Sequence, residues 1–214
     1  MSAPTPSEIT PRDRLSAFSN RYLPIADDSD ERYAVTGVSW EAYESLLEDW
    51  ENCSPYRISY LDGVLELVSP GRRHEVSKGV IGGLLEAYLQ ETRTRYIATG
   101  SWTLKKREVG TGKEPDESYC LGSNTDGFPD LAIEVVESSG GTQDVEKYRR
   151  LEIQEIWFWQ DNKLSVYCLE ERSYERRDRS QVLPALDLSL LEEHIRYPDP
   201  FTAILDFREK IRAS

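Results

Sequence analysis

Asp116, Glu134 and Lys147 are the residues of this 214-residue chain whose types and order best suit chemistry. Glu134 stands among Leu131, Ala132, Ile133, Val135 and Val136, a near-continuous apolar run. Such a run is expected of a strand covered on both faces, where a carboxylate has to be satisfied by a partner. Asp116 follows Pro115, and the segment between the two acids carries turn signals at Gly122, Asn124 and Asp126-Gly127. Folding back there as a hairpin sets Asp116 beside Glu134. Two close carboxylates repel each other unless a cation or a proton intervenes. Mg²⁺ takes oxygen ligands from one or two carboxylates together with water and substrate phosphates, so a Mg²⁺ or Mn²⁺ site acting on a phosphodiester fits these residues.

Lys147 comes next along the chain. Thr142 can cap a helix with Asp144 and Glu146 in its first turn, which puts Lys147 near the start of that helix. Packed back against the sheet, this helix can aim an ammonium at the carboxylate pair, to orient a water nucleophile or to stabilise charge growing on the phosphate. The plainer reading of an isolated lysine is a solvent-facing pair with Glu146 or Asp144.

Two further residues are site candidates. His74 follows the loop Ser69-Pro70-Gly71-Arg72-Arg73 and opens a helical pattern in which Val76, Val80, Leu84, Ala87 and Tyr88 make an apolar face. It is either an ordinary helix-start histidine or, beside two arginines and a helix N-terminus, a group that contacts phosphate or supports the ligands. Glu66 lies on the second strand of a hairpin turning at Asp62-Gly63. On an edge strand it is a solvated carboxylate; beside the site strands it fills out the acidic cluster. His194, in Ser189-Leu190-Leu191-Glu192-Glu193-His194, has no companion ligands and reads as structural or solvated.

The chain resembles the Uma-type family of putative restriction endonucleases, within the PD-(D/E)XK nuclease superfamily. The resemblance covers roughly residues 36–170 and rests on Asp62-Gly63, Ser69-Pro70 with His74, Pro115-Asp116, Pro129-Asp130 with Glu134, and Asp144 with Lys147-Tyr148 running to Trp157. It implies Asp116 and Glu134 as metal ligands, the Val135 carbonyl as a further ligand and Lys147 as the catalytic cation. Val136 occupies the place of the superfamily's usual lysine, and Lys147 matches its migrated position. His74 and Glu66 match family positions near the site. Two loops depart from the family: Glu137-Ser138-Ser139 replaces Ser-Pro, and Glu152-Ile153-Gln154 replaces Gly-Val-Pro.

The length suits one α/β domain with a sizeable core, and 38% hydrophobic content describes a globular chain. Residues 1–35 read as a Pro-rich, charged extension, loosely attached, and residues 36–214 as a single nuclease-like domain. The expected class is mixed α/β: a central mixed sheet flanked by helices, with an added N-terminal helix and β-hairpin. Trp40, Tyr43, Leu46, Leu47 and Trp50 share one helical face that suits core packing. A helix over 73–92 precedes strands near 95–99 and 101–107, and two C-terminal helices cover 187–196 and 200–212.

No apolar run reaches the roughly 18 residues of a membrane span, no signal peptide is evident, and Cys53, Cys120 and Cys168 form no CxxC; the expected compartment is the cytoplasm. The net charge of −13 opposes simple nucleic-acid binding. Its distribution is uneven, since residues 1–51 hold 11 acids and 4 bases whereas residues 52–113 hold 6 acids and 10 bases. Arg72, Arg73, Lys78, Arg93, Arg95, Lys105, Lys106, Arg107 and Lys113 can line a DNA-facing side or be ordinary surface charges. The functional expectation is a metal-dependent endonuclease acting on nucleic acid, DNA first, and a homodimer is compatible with cutting both strands. The alternative is a catalytically silent nuclease fold that binds nucleic acid or protein as a regulatory module.

Overall fold

The computed structural model describes residues 30–50, 56–123, 127–137 and 144–213. The expected turn at Asn124 and Asp126 and the cap at Thr142 lie outside these residues. In chain order the elements are β1 (Glu31–Thr36), α1 (Trp40–Trp50), β2 (Arg57–Leu61), β3 (Val64–Ser69), α2 (Arg72–Glu91), β4 (Tyr96–Ala98), β5 (Leu104–Lys106), β6 (Thr111–Lys113), β7 (Glu117–Leu121) and β8 (Leu131–Val136). There follow α3 (Asp144–Leu151), β9 (Glu155–Gln160), β10 (Lys163–Glu170), β11 (Ser173–Arg177), α4 (Leu188–Ile195) and α5 (Pro200–Ala213).

The mixed α/β class expected from the sequence holds, with the strands divided between two sheets. The first is antiparallel, ordered β1-β3-β2-β6-β5; the second is ordered β11-β10-β9-β8-β7-β4 and is antiparallel except for the β8–β9 pair. A parallel pair needs a crossover rather than a tight turn, and α3 lies in the connection between β8 and β9. The strands expected near 95–99 and 101–107 are shorter, β4 and β5, and enter different sheets. Residues 30–36 depart from the loosely attached extension expected over 1–35. Glu31–Thr36 pairs in full with β3, while residues 1–29 lie outside the described ones.

Local chemistry accounts for the turns around the site. Asp62 and Gly63 both have positive φ, 47° and 87°, as the two-residue turn between β2 and β3 requires. Six consecutive residues of β8 are buried because both of its faces are covered. Leu131, Ile133 and Val135 join the core beneath α2, α4 and α5, whereas Ala132 and Val136 pack with Tyr148 and Leu151 of α3. Glu134, between Ile133 and Val135, therefore faces α3. A third cluster places Trp40, Tyr43 and Trp50 of α1 against Ile58, Tyr60 and Leu65 of the first sheet, so the aromatic face of α1 is core as expected.

Gly112 shows how tightly α1 holds the strand that leads to the site. A Cβ there would fall 2.1 Å from the Tyr43 hydroxyl and 2.7 Å from Cζ. Tyr43 is fully buried and its ring stacks on Tyr60 at 4.9 Å, so it has little room to yield. Gly112→Ala is expected to destabilise the protein by about 1–3 kcal/mol through overpacking. Urea denaturation measures this, and an unchanged midpoint would show that the ring moves aside freely.

Candidate functional site

The register of β7 on β8 builds the acidic pair. Glu117 lies opposite Ile133, which sets Asp116 opposite Glu134 at the end of the ladder. Asp116 Oδ2 accepts from the Val135 amide at 2.7 Å, which ties the loop before β7 to β8. In an extended strand a residue's N–H and C=O face the same edge, so the Val135 carbonyl also faces the Asp116 side. Asp116, Glu134 and Val135 line one small cavity with His74, Lys113 and Asp144, and Arg32 and Arg57 stand at it as well. Its interior is about 20 Å³, room for one water.

An alternating chain of charges fills the surroundings. Lys113, at the end of β6, places Nζ 3.1 Å from Glu134 Oε1 and 3.2 Å from Asp144 Oδ2. Asp144 Oδ1 accepts from Lys147 Nζ at 2.8 Å, and Lys147 also donates to Ser59 Oγ at 2.8 Å and to Glu66 Oε2. The Tyr148 hydroxyl donates to Glu134 Oε1. On the other side His74 Nε2 lies 2.8 Å from Asp116 Oδ1, an ion pair bent away from regular hydrogen-bond geometry. His74 Nδ1 is 3.0 Å from Asp30 Oδ2, whose other oxygen accepts from the Gly71 amide at 2.9 Å.

None of Asp116, Glu134, Asp144, His74, Lys113 and Lys147 is more than 7% exposed, so each must find its counter-charge inside the protein. The proton affinities follow from that. Burial pushes the Glu134 carboxyl up to about 7 against the opposing pull of Lys113, and the charges of Asp116 and Asp144 add to the rise. Burial would raise Asp144 too, but the two ammonium groups on it overcome this and hold it at about 2. Lys113 is raised despite burial, because Asp144, Glu134 and Asp116 surround it. Burial alone would lower His74, yet Asp116 and Asp30 raise it to about 10. Both ring nitrogens face carboxylates, which only accept, so the ring is an imidazolium. Glu66 resists burial and is lowered by Lys147.

Of the five side chains expected from the sequence, the structure places Asp116, Glu134, His74 and Glu66 at one cavity, while Lys147 is not aimed at the carboxylate pair. Asp116 and Glu134 meet as the hairpin expectation required. Lys147 reaches Asp144, Ser59 and Glu66; the lysine on Glu134 is Lys113. Glu66 lies on a strand between β1 and β2 rather than on an edge, and points at Lys147. His74 opens α2 and supports Asp116. His194 is structural, donating through Nδ1 to the Leu190 carbonyl at 2.7 Å and pairing with Asp206 at 2.9 Å. Of the bases grouped as a DNA-facing side, Lys105, Lys106 and Arg107 pair with Glu44, Glu152 and Glu41, while Lys113 is buried in the cluster.

Lys113 as a site residue, Asp30, Ser59 and Tyr148 as a partner of Glu134 were missed by sequence reasoning. The Lys147–Asp144 pair considered from the sequence is present, three residues apart on one helix face, but it is buried rather than solvent-facing. Asp30 carries no local signal at all.

Among the described residues no three His, Cys, Asp or Glu side chains form a ready metal cage. The donors that converge are two carboxylates and one backbone carbonyl, hard oxygens of the kind that suit Mg²⁺ or Mn²⁺ with water completing the shell. The donor type therefore fits the metal, although Lys113 already supplies a positive charge to Glu134.

Fold and cluster define a mixed α/β protein with a buried acid–lysine centre where two sheets meet. The chain belongs to the Uma2 family, whose description is "Putative restriction endonuclease" and whose model matches residues 40–198. Among solved structures it is similar to one from Anabaena variabilis described as "a putative nuclease belonging to DUF820". The two are 15% identical, the match covers 74% of this chain and 98% of that one, and the TM-score is 0.49. No curated protein matches the chain. Among the described residues no helix is long and apolar enough to cross a membrane.

The His74 pairs make stability depend on pH. A histidine whose affinity for protons is raised from 6.5 to about 10 contributes stability that is complete below pH 6.5 and is lost as pH climbs through 10. Without added metal, the unfolding free energy of the wild type is expected to fall more steeply between pH 6.5 and 10 than that of His74→Gln, by a few kcal/mol on the order-of-magnitude linkage scale. Denaturant titrations across that range measure the difference. Parallel curves would mean that His74 is neutral in the folded protein.

Proposed function

We propose that the protein is a divalent-metal-dependent endonuclease that hydrolyses phosphodiester bonds of DNA. The observation that carries this reading is the meeting of Asp116, Glu134 and Val135 at one small cavity, with the Lys113 ammonium beside Glu134, in a chain of this family. Asp116 and Glu134 would hold Mg²⁺ or Mn²⁺ with the Val135 carbonyl. When bound, such an ion lowers the pKa of water and offsets charge on the phosphate.

The chain's own groups account for the rest. His74 fixes the orientation of Asp116, and the Val135 amide fixes its other oxygen. Glu134, whose proton affinity burial raises while no metal is present, would give up its proton in favour of the ion it holds. Arg32 and Arg57 at the cavity, with the exposed Arg72 and Arg73 in the first turn of α2, offer guanidinium groups to phosphate within a chain that is acidic as a whole. In the hydrolysis the water oxygen bonds to phosphorus, the P–O ester bond breaks, and the released oxygen takes up a proton. The compartment that goes with this reading is the cytoplasm, and a homodimer would allow both strands to be cut.

The small volume of the cavity favours one competing reading, a silent nuclease fold that binds nucleic acid or a partner protein without turnover. Asp116→Asn and Glu134→Gln separate the two, because each keeps the shape of the side chain and removes its charge. Both are expected to lower Mg²⁺- or Mn²⁺-dependent DNA cleavage by at least about 100-fold, to keep the wild-type circular dichroism spectrum, and to lose the rise in melting temperature that metal gives the wild type. DNA binding by the wild type without metal-dependent cleavage would support the silent module instead.

A further inference from the structure

We infer that Lys113, which lies outside the lysine motif of the family, is the catalytic lysine of this chain, and that Lys147 is a positioning residue acting on it through Asp144. The inference rests on the nuclease reading and reassigns the ammonium within it. Lys113 Nζ stands 3.1 and 3.2 Å from the two oxygens of Glu134, whereas the hydrogen-bond partners of Lys147 are Asp144, Ser59 and Glu66. Asp144 links the two lysines, with Oδ1 on Lys147 and Oδ2 on Lys113.

The fold explains why the two lysines differ. Lys113 ends β6, three residues before Asp116, so the same short connection delivers both the ammonium and the first carboxylate to the end of β8. Lys147 comes from α3 and is saturated: its three hydrogens have Asp144, Ser59 and Glu66 as acceptors. Lys113 has two carboxylates as acceptors, which leaves one N–H for a nucleophilic water or a non-bridging phosphate oxygen. Held between carboxylates it stays an ammonium, with no lone pair to take a proton from water. Its part in the reaction is to orient the nucleophile and stabilise charge on the phosphate. Because it neutralises Glu134 where a metal ion would, it also competes with that ion.

The test compares Lys113→Met and Lys147→Met for Mn²⁺ affinity, read from melting temperature against Mn²⁺ concentration, and for single-turnover cleavage of supercoiled plasmid DNA at saturating Mn²⁺. Lys113→Met is expected to bind Mn²⁺ about tenfold more tightly, since a positive charge has left the ligand carboxylates, and to cleave at least about 100-fold more slowly. Lys147→Met is expected to shift Mn²⁺ affinity by less than about threefold and to slow cleavage by about tenfold, as loss of a group that acts through Asp144. If Lys113→Met does not fold, Lys113→Gln carries the same expectations, because it can still hydrogen-bond both carboxylates without the charge. Cleavage by folded Lys113→Met within about threefold of the wild type, or a deeper loss in Lys147→Met, overturns the inference and leaves the nuclease reading standing. A wild type that cleaves nothing, with Mn²⁺ affinity still gained on losing Lys113, ends the nuclease reading but supports Lys113 as the ammonium at the metal carboxylates. Equal Mn²⁺ affinity in the wild type and folded Lys113→Met also overturns it.

Discussion

A carboxylate inside a strand covered on both faces is the constraint from which the rest of the site follows. Glu134 cannot stay ionised there without a cation, and the cation on it comes from the other sheet: Lys113 belongs to the antiparallel sheet and Glu134 to the mixed one. The same holds one step out, where Glu66 and Ser59 of the antiparallel sheet receive Lys147 of α3. The charge network is thus the seam between the two sheets, and α3 is clamped into it by Lys147, Asp144 and Tyr148. Breaking one member of a buried ion pair costs roughly 3–5 kcal/mol, yet a well-packed apolar set would commonly be as stable or more so. Stability alone therefore gives no reason for charges at this seam. The proposed function gives one, because carboxylates with shifted proton affinities beside a buried lysine in one cavity suit a hydrolytic site.

Much of the fold was legible because it is written in short-range rules. The Asp62-Gly63 turn needs positive φ at both positions, and these residue types tolerate it. The apolar run around Glu134 announced a strand covered on both sides, and the antiparallel pairing of β7 with β8 sets the two acids opposite each other, as folding back between them required. The face of α1 read as core because tryptophan and tyrosine recur there at helical spacing. In each case the deciding contacts lie within one element or between neighbours in the chain.

What stayed hidden depends on contacts between distant elements. Whether Glu66 sits on an edge or an interior strand is decided by β1, and β1 reads poorly from sequence because its residues are mostly exposed and lie in a charged stretch. Lys113 counted as one more surface base because nothing near it tells which sheet β6 joins. Its burial follows from β6 pairing with β2 and β5, an arrangement set by partners 50 residues upstream and a few before it. Asp30 is the extreme case: its carboxylate meets His74 and the Gly71 amide across more than 40 residues of chain.

The order of charges also explains how a site can be assembled before any metal or substrate arrives. In direct ion pairs Asp30, Glu66, Asp116, Glu134 and Asp144 face His74, Lys113 and Lys147, five acids against three cations, with Arg32 and Arg57 also at the cavity, so the paired groups are held together and among themselves are short of positive charge. In a weakly polarisable interior that deficit acts strongly over a few ångströms. One answer is a proton, and the raised affinity of Glu134 shows where it goes first. A divalent cation is the other answer, and it would meet the same carboxylate. Glu134 is therefore the residue at which proton and ammonium meet and where, on the proposed function, a metal would compete with both, and the balance is set by the strand that buries it.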